Sequence, residues 1–259
     1  MPYIEKLTLY PIKSLDGIEV TQASITDKGA LYLDRMFALY NQAGRTVNAK
    51  KYPAIQKVRA GFDLHQLRVN LSTPEGLMAS FQMEHEQQQI AEFFSEYLKE
   101  PVFIKQNEVS GFPDDDENSG PTIVSTATYL EVQQWFPDLS LGNIRRRFRA
   151  NIELGDCYAP FWEDRLFDVP GTDKFFQLGN VSFVGKKPCA RCTVPTRDPL
   201  SSIADNSFMS TFINRREESL PSFAQAEQFN HYYHLCVNTV IPDTEKGKIL
   251  QLKDQLNVL

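Results

Sequence analysis

Cysteine is scarce in this chain, with four in 259 residues, and that excludes a disulfide-built scaffold. Cys157 and Cys236 stand alone, and only Cys189 and Cys192 are close in sequence. No stretch approaches the roughly 20 apolar residues of a membrane span. The N-terminus, MPYIEKLTLYPIKSL, lacks the basic start and apolar run of a secretory leader. A basic excess is missing too: 27 Lys and Arg stand against 33 Asp and Glu, a net charge of -6. A whole-protein field of the kind that binds nucleic acid is therefore absent. No repeat of about 20–50 residues is present, which excludes solenoids and propellers. These absences lead to the expectation of a cytoplasmic protein in a reducing compartment, with neither membrane nor nucleic acid as partner. Its 42% hydrophobic content suits one large or two small domains with a proper core.

The first third reads mostly as strands. "YIEKLTLYPI" and "EVTQASITD" alternate apolar and polar residues, and "RMFALYNQAGRTV" reads as a hairpin around Asn41-Gln42-Ala43-Gly44. About six short strands with regular turn signals fit a small barrel or sandwich. "EHEQQQIAEFFSEYLK" then spaces Ile90, Phe93, Phe94 and Tyr97 as one face of a helix. The polar stretch "VSGFPDDDENSGP" reads as a connector, and its acidic run Asp114 to Glu117 as a solvated loop. A division there separates residues 1–108 from 109–259. In the second part, a helix is expected after a cap at Ser125 or Thr126 and closed by Pro137. "FRANIEL", "DRLFDV", "FQLGNVSFVG", "CVNTVI" and "GKILQLKDQLNVL" read as strands, and "SFAQAEQFNHYY" as a helix. The fold class is mainly β with some helices (α+β), arranged as two barrel-like units in tandem.

"KKPCARCTVP" sets Cys189 and Cys192 three positions apart in a cationic stretch. A structural zinc needs further ligands, and the nearest histidines, His231 and His234, are distant and too closely spaced for the usual pair. A thioredoxin-like dithiol needs a helix after the first thiol, whereas "TVPTRDP" does not continue as one. Two ordinary core cysteines, or a thiolate socket favoured by Lys186, Lys187 and Arg191, also fit. Other cationic sites stand at strand ends. Lys13 and Ser14 follow a strand at a turn, Asp34-Arg35 is embedded between apolar runs, and Arg145, Arg146, Arg147 and Arg149 precede "NIEL". By strand alternation, Arg147 and Arg149 share a face opposite Phe148. Together these cations look like one convergent anion pocket.

In order and spacing, these segments resemble a known family. "LYPIKSLDGIEV" and "GALYLDRMFALYNQAGRTVNAKKYPAI" are similar to the N-terminal β-barrel domain that precedes MOSC domains. "RRFRANIEL", "PFWEDRL" and "LGNVSFVGKKPCARCTVPTRDP" resemble the MOSC domain itself, the fold of the C-terminal part of molybdenum-cofactor sulfurase. By pattern, the chain also resembles the mitochondrial amidoxime-reducing component and its bacterial counterparts that detoxify N-hydroxylated bases. The resemblance implies a molybdenum cofactor of the molybdopterin type. Cys192 takes the place of the thiolate ligand to the metal, with Cys189 beside it. Lys13, Ser14 and Arg35 take the places that hold the cofactor's phosphate, Arg149 and Asn151 those that grip the pterin, and Ala190 and Arg191 lie against it. Ser125 and Thr126 match a serine-rich turn suited to an anion, and Asp164 an acidic position of unassigned role. Pyridoxal phosphate binding is a further property that family descriptions carry. The chain departs from the pattern at Ala150, where proline is usual, and after Cys192, where of a threonine pair only Thr196 stands. The implied activity is reduction of small N-hydroxylated molecules: hydroxylamines, N-hydroxy bases and amidoximes. No cysteine-rich iron–sulfur motif follows Cys192, so electrons would come from a separate ferredoxin-, flavoprotein- or cytochrome-type protein. A non-catalytic cofactor carrier, or a sulfur carrier using a persulfide on either cysteine, is the alternative.

Overall fold

A computed structural model describes residues 1–115 and 117–259. Asp116, within the acidic run expected as a solvated loop, lies outside the described residues. The chain opens with β1 (Tyr3–Leu9), whose buried residues are Ile4, Leu7 and Leu9. The alternation slips by one at Glu5 and Lys6 because a bulge interrupts the ladder between Ile4 and Lys6. Then come β2 (Ile18–Val20), β3 (Gln22–Ser24), β4 (Phe37–Asn41), β5 (Arg59–Asp63), β6 (Arg68–Ser72) and β7 (Met78–Gln82). Helix α1 (Gln87–Leu98) buries Ile90, Phe93 and Phe94, the face its spacing predicts, and β8 (Val102–Gln106) follows. The second half comprises β9 (Ile123–Ser125), α2 (Thr126–Trp135), α3 (Leu141–Phe148), β10 (Ile152–Gly155), β11 (Lys174–Leu178) and β12 (Val181–Ala190). It ends with α4 (Phe208–Glu218), β13 (His234–Val240), β14 (Ile249–Gln251) and β15 (Leu256–Val258). The fold is mainly β with four α-helices among the described residues, as the sequence implies.

The largest sheet has eight strands in the order β15-β11-β12-β13-β9-β10-β1-β2. Strand β1 pairs antiparallel with β10, placing Ile4 opposite Leu154 and Leu7 opposite Ile152. Strand β10 in turn runs parallel to β9. The first strands of the chain are thus hydrogen-bonded to the second half. Smaller sheets pair β14 with β3 and β4 with β8, and β5, β6 and β7 form a meander. None of these sheets closes, so the barrel-like units are open ladders. The segment from 107 to 122, where the division at 108/109 is expected, links β8 to β9.

Several local expectations need correction. The arginine-rich stretch read as the approach to a strand is helix α3. Ser140 caps it by accepting a hydrogen bond from the Asn143 amide, and arginine is a good helix former. Arg147 and Phe148 are therefore buried together, and Arg149 ends the helix in the left-handed conformation. "DRLFDV" is occupied by a 3-10 turn, Trp162–Leu166. "SFAQAEQFNHYY" keeps only the short turn Ala226–Gln228, whose preceding Gln225 makes no side-chain cap. The α4 segment, unanticipated from its sequence, buries Phe208 and Phe212 against Phe136 and Phe148.

Gly185, in the middle of β12, fixes how closely that strand passes the Trp162–Leu166 turn. A Cβ there would overlap the Leu166 carbonyl oxygen and meet the Phe176 ring at 3.4 Å. Backbone cannot yield as a flexible side chain does, so Gly185→Ala is expected to cost at least about 2 kcal/mol. A thermal melt checks this, and an unchanged midpoint would mean that β12 can shift freely.

Candidate cofactor-binding site

The β1–β10 ladder carries Tyr10 and the following turn to the end of α3. The Thr8 amide donates to the Asn151 carbonyl at 2.8 Å, and the Asn151 side-chain amide donates to the Thr8 carbonyl at 3.1 Å. A cleft of about 740 Å³ opens beside this junction, lined by ten Lys and Arg and four Asp and Glu side chains. That cationic surplus stands on a chain of net charge -6, so it is a local construction. A second cavity of about 750 Å³ adjoins it and shares Arg35, Arg149, Asn151, Cys189, Ala190 and Arg191. Both volumes are in the range of small-molecule and cofactor sites.

Eight of the ten residues singled out from the sequence line the first cleft: Lys13, Ser14, Arg35, Arg149, Asn151, Ala190, Arg191 and Cys192. Ser125 and Thr126 line neither cavity. Ser125 is fully buried, and its Oγ accepts from the Thr128 amide as the cap of α2. Thr126 Oγ1 donates to Glu153 at 2.8 Å. In their place, Ser119, Gly120 and Thr122 line the second cavity, and the Thr122 amide donates to Asn151 Oδ1 at 3.3 Å. A Cβ on Gly120 would come within 2.6 Å of the Thr239 carbonyl oxygen, so only glycine lets this loop lie against β13. Asp164 is buried in an ion pair with Arg216 and lines neither cavity.

Tyr10, not singled out beforehand, is the centre of the site. The guanidinium carbons of Arg149 and Arg35 lie 4.1 and 5.1 Å from its ring centroid, within cation–π range. Its hydroxyl donates to the Ala150 carbonyl at 3.2 Å. Burial pushes the phenol up to about 12 against the pull of Arg149 and Arg35, so the ring stays neutral under both cations. Ser14, Arg35 and Arg149 have φ of 76°, 51° and 55°, a left-handed conformation uncommon outside glycine. Such backbone persists where the surroundings over-determine it, and it concentrates at functional sites.

The cations differ in their partners. Arg35 pairs with Asp34 and donates to Asn151 Oδ1 at 3.3 Å. Lys13 donates to the carbonyls of Phe112 and Pro113 and pairs with Asp114 at 2.8 Å. Burial alone would raise the Asp114 carboxyl, but the charges of Lys13, Arg35 and Arg149 bring it down to about 2. Asp115 pairs with Lys187 at 3.1 Å. Asp114 and Asp115 are thus each paired with a lysine, while Asp114 and Glu117 stay solvent-exposed as expected of a solvated loop. Arg149 and Arg191 have no carboxylate within ion-pair distance among the described residues. Arg149 donates to the Leu15 carbonyl, and burial lowers its pKa. Arg191 donates to the Phe148 carbonyl at 2.7 Å and to Cys189 Sγ at 3.1 Å, and its buried Nε has no partner.

Strand β12 delivers the cysteine pair to the cleft: Cys189 is half-buried and Cys192 exposed, while Cys236 is buried and Cys157 half-buried. The His231 and His234 rings stack at 4.2 Å, and His234 Nδ1 shares a hydrogen bond with the His231 carbonyl. A cation-lined pocket that ends at an accessible thiol fits a phosphate-bearing cofactor with a metal that takes a sulfur ligand.

These features define a β-rich protein with a cation-lined cleft that ends at an accessible thiol. Residues 1–136 match the model of the MOSC N-terminal beta barrel domain, and the chain belongs to that family of MOSC-domain proteins. The family is associated with binding of the molybdenum cofactor. No curated protein matches the chain. Among the described residues, no helix is long and apolar enough to cross a membrane.

The network behind Ser125 has its own pH dependence. Glu163 is 1% exposed, and its Oε2 accepts from Thr128 Oγ1 at 2.9 Å while Oε1 has no partner. Burial, with the nearby Asp164 charge, raises its pKa from 4.5 to about 7. The folded state therefore holds a proton that the unfolded chain releases, and stability falls as pH rises from about 4.5 to about 7. The full effect is on the order of 3 kcal/mol. Glu163→Gln should remove this loss, flattening chemical-denaturation midpoints across that window. A variant retaining the wild-type pH slope would assign the slope elsewhere.

Proposed function

We propose that the cleft holds a molybdenum cofactor of the molybdopterin type and that the protein reduces N-hydroxylated compounds with electrons from a separate donor protein. The observation that carries this reading is the pair of cations, Arg149 and Arg191, which have no carboxylate partner among the described residues, in a cleft that ends at Cys192. A half-buried charge without a counter-ion is costly, and an anionic ligand offsets it. The unpartnered Arg191 Nε is a donor still available to such a ligand.

The residues present fit the group in chemistry and in size of space. Arg35, braced on Tyr10, would hold phosphate oxygens through its planar N–H fork, with Lys13 as a compact charge beside it, and Arg149 on the same ring would face the pterin. Asn151 is spoken for by Thr8, Thr122 and Arg35, so its part is to set the cleft's shape. Cys192 would supply the thiolate ligand, and Ala190 and Arg191 the wall against which the cofactor rests. When bound, the cofactor supplies the redox chemistry that reductive N–O cleavage requires. The donor would be of ferredoxin, flavoprotein or cytochrome type. Pyridoxal phosphate would need a lysine free in the cleft: Lys13 is engaged by Asp114 and two carbonyls and Lys6 by Glu19, which leaves Lys50. The exposure of Cys192 also suits a protein that passes the cofactor, or sulfur, to a partner.

Molybdenum and pterin content test the site in protein purified from a host that makes the cofactor. The expected result is about one molybdenum per chain, lost in Cys192→Ser and lowered at least about tenfold in Arg149→Met. Neither metal nor pterin in the wild type would overturn the assignment. Loaded protein should consume a reduced viologen when an amidoxime is added. Loading without turnover would favour the carrier, and equal sensitivity to Cys189→Ser the sulfur-transfer role.

A further inference from the structure

Cys192 begins a loop whose far side is fastened to the end of α3 by a single buried side chain. Arg147 is 4% exposed, and its guanidinium lies 4.8 Å from the Phe208 ring centroid. Its Nη1 donates to the Pro195 carbonyl at 2.6 Å and to the Arg197 carbonyl at 2.8 Å. Its Nε donates to Asn143 Oδ1 at 2.7 Å, and Asn143 Nδ2 donates to Asp198 Oδ2 at 2.9 Å. The residue preceding Cys192, Arg191, donates to the Phe148 carbonyl, one residue beyond Arg147. The chain on both sides of Cys192 is thus tied to the last turn of α3.

We infer that Arg147 is a positioning residue for Cys192, acting through the loop rather than on any ligand. Two carbonyls two residues apart are spanned by one guanidinium nitrogen, while the Nε on the same rigid plane reaches Asn143. Lysine would bring a single ammonium to the same place and could not hold this geometry. The triple arginine then divides its work. Arg145 pairs with Glu153, Arg146 is exposed at the cleft, and Arg147 holds the loop that carries the thiol. The thiol is left bare while its backbone is fixed, as a ligand placed by its supporting contacts requires. The inference rests on Cys192 being the ligating residue.

Amide hydrogen exchange on the full-length cofactor-free protein, read by mass spectrometry, tests the clamp independently of the cofactor. The Thr196, Arg197 and Asp198 amides are hydrogen-bonded to Thr193, Val194 and Ile203 carbonyls and report on the loop. In Arg147→Met, their exchange should quicken by about ten- to a hundredfold relative to the strands of the eight-stranded sheet. Molybdenum retention should fall by about ten- to a hundredfold, with Arg147→Lys in between. Should Arg147→Met fail to fold, Asn143→Ala loosens the same clamp by removing the Nε acceptor while the two Nη1 bonds remain, and the same direction of change is expected. Exchange that rises no more in the loop than elsewhere, or loaded wild type and variants with equal metal retention, would overturn the inference. A wild type without metal strikes the cofactor assignment alone, and the exchange data then decide the clamp.

Discussion

The antiparallel ladder between β1 and β10 is the constraint on which the site depends. Without it, Lys13 and Arg35 belong to one end of the chain and Arg149 and Asn151 to another. With Leu7 opposite Ile152, the residues just beyond each strand arrive at one point. Asn151 then fixes the junction by bonding to Thr8, Thr122 and Arg35. The ladder is itself secured by the core, since Ile4, Leu7, Ile152 and Leu154 are all fully buried in one cluster. A slip of one residue would turn that apolar set outward. The same packing that stabilises the sheet therefore sets the register of the charges.

Gathering so many cations in one cleft opposes folding, and the structure offsets the cost in graded fashion. Asp34, Asp114 and Glu153 neutralise Arg35, Lys13 and Arg145 directly. Tyr10 gives Arg35 and Arg149 the face of an aromatic ring, which attracts a cation without cancelling its charge. Neutralisation is thus most complete at the Lys13–Arg35 end and least complete toward Arg191 and the cysteines. The left-handed backbone at Ser14, Arg35 and Arg149 adds strain at the same place. A stretch of chain selected for stability alone would have no reason to collect both penalties. One that must present uncompensated charge to a ligand does.

Much of this was legible in the sequence because the signals were local. Alternation in "YIEKLTL", the helical spacing of Phe93 and Phe94, and the Ser125 cap each depend on residues a few positions apart. The cationic residues near strand ends were visible as a set for the same reason. What failed was long-range. "RRRFR" carries no apolar period of its own and looks like a strand approach, yet Ser140 starts a helix whose arginines are claimed by Glu153, Pro195 and Arg197. Ser125 and Thr126 are expected in the site from their resemblance to a serine-rich turn, but the cap and Glu153 take those hydroxyls. Tyr10 carries no functional signal in the sequence, because an aromatic after a strand ordinarily means core, and here the core residue is also the platform for two charges.

The contrast between Cys189 and Cys192 follows from where β12 ends. Cys189 is still within the strand, and Arg191 reaches back to its sulfur while the Arg191 amide donates to the Tyr233 carbonyl. Cys192 lies beyond the strand, where neither ladder nor side chain among the described residues engages its sulfur, and only its flanks are held. A thiol meant for packing would be placed the other way round, with its sulfur enclosed and its backbone free to adjust. Fixed backbone with a bare sulfur is the arrangement that lets a thiolate meet an incoming metal at a set position, because the ordering entropy has been met by folding before the ligand arrives.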